Sequence, residues 1–74
     1  MTLRDMKVGQ EATVEKIIRG TNAERRLFEI GIVPGARVTL LSRHPFKGPL
    51  VVKVGNTQVA IGRGVASAVE VKPD

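Results

Sequence analysis

Glycine and proline divide this 74-residue chain into short segments, and the longest run free of both has ten residues. Closely spaced turn residues of this kind are typical of a small β-rich barrel, in which short strands follow one another through tight turns. No repeat, linker or low-complexity stretch interrupts the pattern. We therefore expect one domain over residues 1–74, folded mainly as β-structure.

Five short strands are predicted, and the first runs from Glu11 to Ile18. Ala12 and Val14 share one face of this strand, whereas Ile17 has the opposite parity, so we expect a β-bulge near Glu15-Lys16. Together the strands favour a closed or nearly closed antiparallel barrel. The other predicted strands are Arg37 to Arg43, Leu50 to Val54, Gln58 to Ile61 and Ala68 to Val71.

One helix is predicted from Thr21 to Gly31, after the first strand. Thr21 and Glu24 have the spacing of a capping box, in which each side chain accepts a hydrogen bond from the backbone N–H of the other residue. Gly31 is placed to end the helix in the left-handed conformation. The apolar stripe expected to face the core consists of Ala23, Leu27 and Ile30.

Glycine and proline also predict the connections that follow the helix. Pro34-Gly35 favours a turn that requires a positive φ at the glycine. His44 to Pro49, with two prolines and a glycine, is interpreted as a loop. Gly55 favours a tight hairpin between the third and fourth strands. Val65-Ala66-Ser67 is expected to form one turn of 3₁₀ helix before the last strand.

The sequence carries no recognisable catalytic or metal-binding constellation. It has no cysteine, and its single histidine, His44, lies far along the chain from the nearest acids, Glu29 and Glu70. Because His44 precedes a proline in a loop, we interpret it as an exposed residue rather than a general base. A chain this short seldom encloses a deep pocket as well as a core. We therefore expect no enzyme activity, no catalytic residue and no metal ligand set.

The chain is basic, with 12 Lys and Arg residues against seven Asp and Glu and a net charge of +5. Such an excess is the first sign sought in a nucleic-acid-binding domain, but these cations are scattered singly apart from Arg25-Arg26. Binders of single strands also stack bases on aromatic side chains, and this chain has only Phe28 and Phe46. No nucleic acid is expected as a partner, although a small RNA-associated barrel stays the alternative. An acidic protein partner or a membrane-proximal anionic surface explains the charge equally well.

The arginine pair and the two phenylalanines are the informative surface candidates. Arg25 and Arg26 lie off the apolar stripe and should face solvent. Phe28 is one step from the stripe, and we expect it to be buried. Phe46 belongs to the proline-containing loop, where an apolar tip is a common docking element.

The order of these features resembles the FeoA family. Its most specific part is the segment Arg26 to Gly35, which reads Arg-Leu-x-x-x-Gly-Ile-x-Pro-Gly. The resemblance covers nearly the whole chain and implies a single FeoA-like domain over residues 1–74, with an SH3-like five-stranded barrel. Further matching features are Val8-Gly9, the strand around Val14, the Pro45 to Pro49 loop, the Gly55 hairpin, and Ala66 with Val69 and Val71.

The resemblance implies an accessory protein of bacterial ferrous iron uptake that binds and regulates the cytoplasmic G-protein domain of the FeoB permease without catalysing a reaction. Its location would be cytoplasmic, and it would reach the membrane only through the permease. No cofactor is implied, while weak Fe²⁺ binding and self-association are left open. The related alternative is a stand-alone relative of the C-terminal domain of DtxR-like metal-dependent repressors.

The expected docking surface combines the helix and the loop. The arginines would complement acidic groups, and Phe46 would serve as an apolar anchor. Motif residues expected to preserve the fold are Leu27, Gly31, Pro34 and Gly35. The predicted partner-binding residues are Arg25, Arg26, Glu29, Pro45, Phe46, Lys47, Gly48 and Pro49.

Overall fold

The structure is a computed structural model that describes residues 1–18 and 22–74, without the side chains of residues 22 and 23. The predicted capping box of Thr21 with Glu24 and the predicted core position of Ala23 lie outside the described residues. The elements in chain order are a 3₁₀ helix at Leu3–Asp5, β1 at Glu11–Ile17, α1 at Asn22–Glu29, β2 at Arg37–Arg43, β3 at Leu50–Val54, β4 at Thr57–Ile61, α2 at Arg63–Ala66 and β5 at Val69–Pro73.

The five strands form one sheet in the order β4-β3-β2-β1-β5, and every neighbouring pair is antiparallel. This confirms the predicted mainly β, five-stranded fold. Four predicted strands agree with the observed bounds to within one residue, and the last strand runs two residues further than predicted. In hydrogen-bonding order β4 and β5 are the outer strands, and α2 connects them along the chain.

Two β-bulges bend the sheet. The first lies between Val14 and Lys16 and confirms the predicted irregularity at Glu15. The second lies between Leu40 and Ser42, where β2 pairs with β3, and was not predicted. An extra residue on one strand increases the local twist, so the bulges allow five short strands to curve around one core.

The core is made from alternate residues of the strands and from the segment that precedes β1. Leu3 and Met6 of that segment are fully buried in the core. The Arg43 guanidinium at the end of β2 donates hydrogen bonds to the carbonyl of Arg4 at 2.8 Å and to that of Met6. This side chain therefore fastens the N-terminal segment to the sheet.

Helix α1 ends as the sequence predicts. Gly31 has a φ of +92°, and its N–H bonds the carbonyl of Phe28 at 3.1 Å. The N–H of Ile32 bonds the carbonyl of Leu27 at 2.9 Å, which completes the Schellman pattern. A glycine at this position avoids the steric penalty that a side chain pays at positive φ.

The remaining turns also follow the glycines, with one difference. Gly35 and Gly55 take φ values of +94° and +59°, as the predicted turns require. The segment before β5 forms one turn of α-helix in place of the predicted 3₁₀ turn. Its N–H groups bond carbonyls four residues back, Ala66 to Gly62 at 2.9 Å and Ser67 to Arg63 at 3.0 Å.

Candidate partner-binding surface

Helix α1 presents its charged residues to solvent. Arg25, Arg26 and Glu29 are exposed, while Leu27 is fully buried. With a rotation of about 100° per residue, Arg26 lies on one flank of the buried stripe and Phe28 on the other. The prediction that the arginines lie off the core-facing stripe is confirmed.

An apolar groove of about 330 Å³ runs between α1, β4 and the start of α2, and we call it the α1–β4 groove. Helix α1 forms one wall with the stripe residues and Arg26, which is the one charged residue among those that line it. The size is at the lower end of the range for ligand pockets. The lining residues are Arg26, Leu27, Ile30, Val59, Ala60, Ile61, Gly62 and Val65.

The prediction that Phe28 is buried is wrong, because 71% of the residue is exposed. Phe28 lies on the flank of α1 opposite Arg26, where it lines a second, shallow groove together with Lys16 and Pro34. One helix over a small sheet buries a narrow stripe, so a residue one step from that stripe stays in contact with water.

The loop between β2 and β3 holds an aromatic side chain at its tip. Phe46 is 98% exposed. Phe46 and Lys47 have φ values of +56° and +65°, and the N–H of Gly48 bonds the carbonyl of Pro45 at 3.1 Å. Two central residues with positive φ define a type I′ turn, which ordinarily uses asparagine and glycine. The backbone of the tip is therefore strained, because a turn of this type disfavours phenylalanine and lysine at its two central positions.

Gly48 is required by the close approach of the two ends of the loop. A Cβ atom placed on Gly48 would lie 2.7 Å from the Cβ of His44 and 3.2 Å from the carbonyl oxygen of Pro45. The N–H of His44 bonds the carbonyl of Pro49 at 3.1 Å and closes the loop. This glycine thus shapes the loop that carries Phe46.

The predicted partner-binding residues lie on two elements, helix α1 and the loop between β2 and β3. Neither of the two grooves beside α1 includes a residue of that loop. The grooves therefore do not join the two groups of residues, which we treat as a helix contact and a loop contact.

The described part of the chain contains no group of three or more His, Asp or Glu residues placed to hold a metal ion. His44 is exposed, as expected for a loop residue. No polar or charged residue is buried in the described core, where a general acid or base would acquire a strongly shifted pKa.

Hydrogen bonds link the last residue to the strands. The carboxylate of Asp74 accepts hydrogen bonds from Arg37 Nε at 3.1 Å and Nη2 at 2.6 Å, and from the hydroxyl of Thr13 at 3.1 Å. Nη2 of Arg37 also lies 3.0 Å from Glu11 Oε1. The hydrogen bonds from Arg37 and Thr13 lower the pKa of Asp74. The bond to Asp74 in turn raises the pKa of Arg37.

Sequence reasoning did not single out the α1–β4 groove. Leu27 and Ile30 were predicted to face the core, but nothing local in residues 59–65 indicates that β4 is an outer strand beside the helix. The sheet order decides that placement.

Among the described residues, no helix has the length and the apolar character that a membrane-spanning helix needs.

The sheet order, the bulged strands and the helix between β1 and β2 define a small SH3-like domain. The model of the FeoA domain matches residues 1–73. The chain belongs to the FeoA family, whose members are associated with ferrous iron transport.

Known relatives agree in sequence and in structure. An Fe(2+) transport protein A from Methanocaldococcus jannaschii is 33% identical over 66 residues, which are 89% of this chain and 78% of the relative. A crystal structure of an iron uptake regulatory protein, FeoA, shares 37% identity with a TM-score of 0.89 and coverage of 99% of both chains. FeoA of Stenotrophomonas maltophilia, described as a prokaryotic SH3 domain protein complexed with zinc, shares 33% identity with a TM-score of 0.86, over 97% of this chain and 89% of that one.

Proposed function

We propose that this chain is a non-enzymatic, cytoplasmic accessory protein that binds and regulates the G-protein domain of a FeoB-like ferrous iron permease. Membership of the FeoA family supports the link to iron transport. The absence of a titratable cluster from the described core favours binding over catalysis. The protein reaches the membrane through its partner and needs no cofactor, and any binding of Fe²⁺ is weak.

The observation that carries the docking proposal is the tip of the β2–β3 loop. Phe46 is the most exposed large apolar residue described in the chain, and its backbone is held in the left-handed region. That conformation costs a residue with a side chain about 1–2 kcal/mol. Neither the exposure nor the strain stabilises the isolated domain, whereas an aromatic side chain that a partner covers contributes to the binding affinity.

The helix supplies the second contact. Arg25 and Arg26 are exposed neighbours on α1, with Glu29 one turn further along. Arginine is suited to acidic groups at an interface because its planar guanidinium donates several hydrogen bonds at once. Charges at the rim of an interface chiefly raise the association rate and select the partner, while Phe46 limits dissociation.

The test is a titration of the purified FeoB G domain into the wild-type protein and into two variants, Phe46→Ala and Arg26→Glu. We expect each substitution to weaken binding roughly tenfold, as loss of an interface anchor or a charge reversal does. Phe28→Ala and Lys72→Glu are the matched controls, because they make the same chemical changes at other exposed positions. Unchanged affinity in both test variants would contradict the docking proposal.

Two further titrations separate this proposal from its alternatives. Short RNA bound with an affinity that falls steeply with the logarithm of salt concentration would instead support an RNA-associated barrel. Fe²⁺ added alone should shift few backbone amide signals and saturate weakly. Tight, stoichiometric Fe²⁺ binding would overturn the role of an accessory protein without a cofactor.

A further inference from the structure

The outer edge of β4 is open to a partner strand. Residues Val54 and Thr57 flank the two-residue turn and form the first hydrogen-bonded pair of the β3–β4 hairpin. Bonded and non-bonded pairs then alternate, so Thr57, Val59 and Ile61 direct their backbone groups to β3. Gln58 and Ala60 direct theirs away from the sheet.

Within the described residues, no other element uses these outward groups. Gln58 and Ala60 make no backbone hydrogen bond to any turn, loop or helix, and both residues are exposed. An edge with free N–H and C=O groups can accept an extended segment of another chain as a further strand.

The α1–β4 groove lies beside this same edge. Ala60 lines it, and Leu27, Ile30, Val59 and Val65 give it apolar walls. In a strand added to β4, successive side chains would point alternately to opposite faces. Every second side chain could therefore enter a groove of about 330 Å³, which has room for aliphatic residues.

Positive charge borders the edge of β4 on both faces of the sheet. Arg26 is the one charged residue that lines the groove, and Lys53 is exposed and pairs across the ladder with Gln58. No acid lines the groove. An incoming segment with carboxylates between its apolar residues would place them on the face of Lys53 and would complement these two cations.

We propose that β4 and the α1–β4 groove bind an extended segment of alternating aliphatic and acidic residues as a sixth strand, through the backbone groups of Gln58 and Ala60. The inference rests on the proposed function as a partner-binding domain and deepens it by naming a binding mode and the chemistry of the partner segment. A second copy of this chain fits less well, because pairing two β4 edges brings their like charges together.

The probe is an acetylated heptapeptide that alternates valine and glutamate, compared with its lysine counterpart in the same buffer. Backbone amide NMR signals and hydrogen-exchange rates of Gln58 and Ala60 are followed during the titration. We expect the acidic peptide to shift both signals and slow both exchange rates, and the lysine peptide to do neither. Equal binding of the two peptides, or binding that leaves both rates unchanged, would overturn the proposal.

Ala60→Pro is the decisive variant, since proline removes an N–H that faces away from β3 and leaves the ladder to β3 intact. We expect it to weaken binding of the acidic peptide roughly tenfold relative to Ala60→Ser, which keeps the N–H and the small side chain. Thermal unfolding checks that both variants fold. Should Ala60→Pro fail to fold, Arg26→Glu replaces it, and its expected effect is loss of the preference for the acidic peptide.

A parallel titration with the FeoB G domain distinguishes the two proposals. Binding of that domain with slowed exchange at Gln58 and Ala60 supports both. Binding that is equal in Ala60→Pro and Ala60→Ser overturns the strand addition and leaves the proposed function standing. Acidic-peptide binding without G-domain binding overturns the proposed partner and supports the chemistry of the edge. Slowed exchange that depends only on the concentration of the protein assigns the edge to a second copy and overturns the proposal.

Discussion

Phe46 and Lys47 combine two features that rarely occur together on a stable surface. Both residues have positive φ, and the aromatic ring of Phe46 lies almost wholly in water. Asparagine and glycine would relieve the backbone strain at these positions, and a polar residue would remove the exposed apolar area. The residues present at the tip do not favour the stability of the free domain, and we expect this loss of stability if the tip is a contact for a partner.

The double substitution Phe46→Asn with Lys47→Gly should separate stability from binding. We expect the free energy of unfolding to rise by about 1 kcal/mol, because the two new residues prefer the type I′ turn. Binding to the FeoB G domain should weaken at least to the level of Phe46→Ala, because Lys47 belongs to the same predicted contact. Lys47→Gly alone separates the two residues, since it relieves part of the strain, removes the lysine and keeps the ring. Denaturant unfolding and a binding titration measure both effects, and a double variant less stable than wild type would refute the strain argument.

At the scale of elements, a side chain from β2 adds to the backbone bonds that hold the segment before β1, such as the bond from the N–H of Val71 to the carbonyl of Met1 at 2.9 Å. Leu3 and Met6 are buried, but the 3₁₀ helix that begins at Leu3 and ends just before Met6 has only three residues and is not stable by itself. Arg43 satisfies the carbonyls of Arg4 and Met6 with its guanidinium. A charged donor is suited to this task because its bonds to carbonyls are stronger than those of a neutral group.

We expect Arg43→Met to lower the free energy of unfolding by about 1–2 kcal/mol, since it removes the donor to the exposed carbonyl of Arg4 and to the part-buried carbonyl of Met6. The effect should be largest on the N-terminal segment, where the amide of Met6 bonds the carbonyl of Leu3. Hydrogen exchange at Met6 should therefore quicken more than exchange within β3. Arg4→Met is the matched control, because Arg4 contributes its backbone carbonyl to the contact and its side chain is exposed. Equal losses in the two variants would contradict the assignment.

Elements with a local cause could be predicted from the sequence. The end of α1 at Gly31 and the hairpin at Gly55 follow from glycines that supply positive φ, and the bulge at Glu15 follows from a change of parity in the apolar pattern. The bulge near Leu41 could not be predicted, because the residues of β2 keep an apolar pattern that fits a regular strand equally well.

The candidate site was predicted less completely, since it depends on neighbours distant in sequence. Exposure of the arginines followed from helical periodicity, but the same periodicity gave the wrong result for Phe28, whose exposure depends on what covers that flank of the helix. The edge position of β4 is set by the sheet order, and the residue types of Gln58 and Ala60 do not indicate it.

At the scale of the whole molecule, a polar cluster ties the last residue of the chain to its first two strands. Asp74 follows β5 and bonds Arg37 at the start of β2 and Thr13 in β1, while its N–H bonds the carbonyl of Glu11 at 3.2 Å. A second carboxylate acts near the other terminus, where Asp5 accepts bonds from the N–H of Thr2 at 2.9 Å and from its hydroxyl at 3.1 Å. These bonds from Thr2 lower the pKa of Asp5.

Both carboxylates make the stability of the fold depend on acid. A lowered pKa means that the folded state binds the proton less tightly than the unfolded state, so these contacts stabilise the fold above the usual pKa of 3.8. The stabilisation is lost as the pH falls below that value and through the lower pKa of the folded state. We expect the unfolding temperature to be constant between about pH 5 and 7, where these carboxylates are ionised, and to decline below about pH 4.

Asp74→Asn should remove part of this decline, because the amide keeps the shape of the side chain but has no proton to gain in this range. Asp5→Asn should remove a separate part, and the double variant should combine the two effects since the residues make no contact with each other. Both groups are solvent-exposed, so each effect is modest and weakens as salt is added. Unfolding temperatures measured from about pH 2 to 7, in steps of about half a pH unit, follow the decline in each variant. An Asp74→Asn variant whose stability falls with acid as steeply as that of the wild type would show that the cluster at Arg37 does not couple the last residue to the strands.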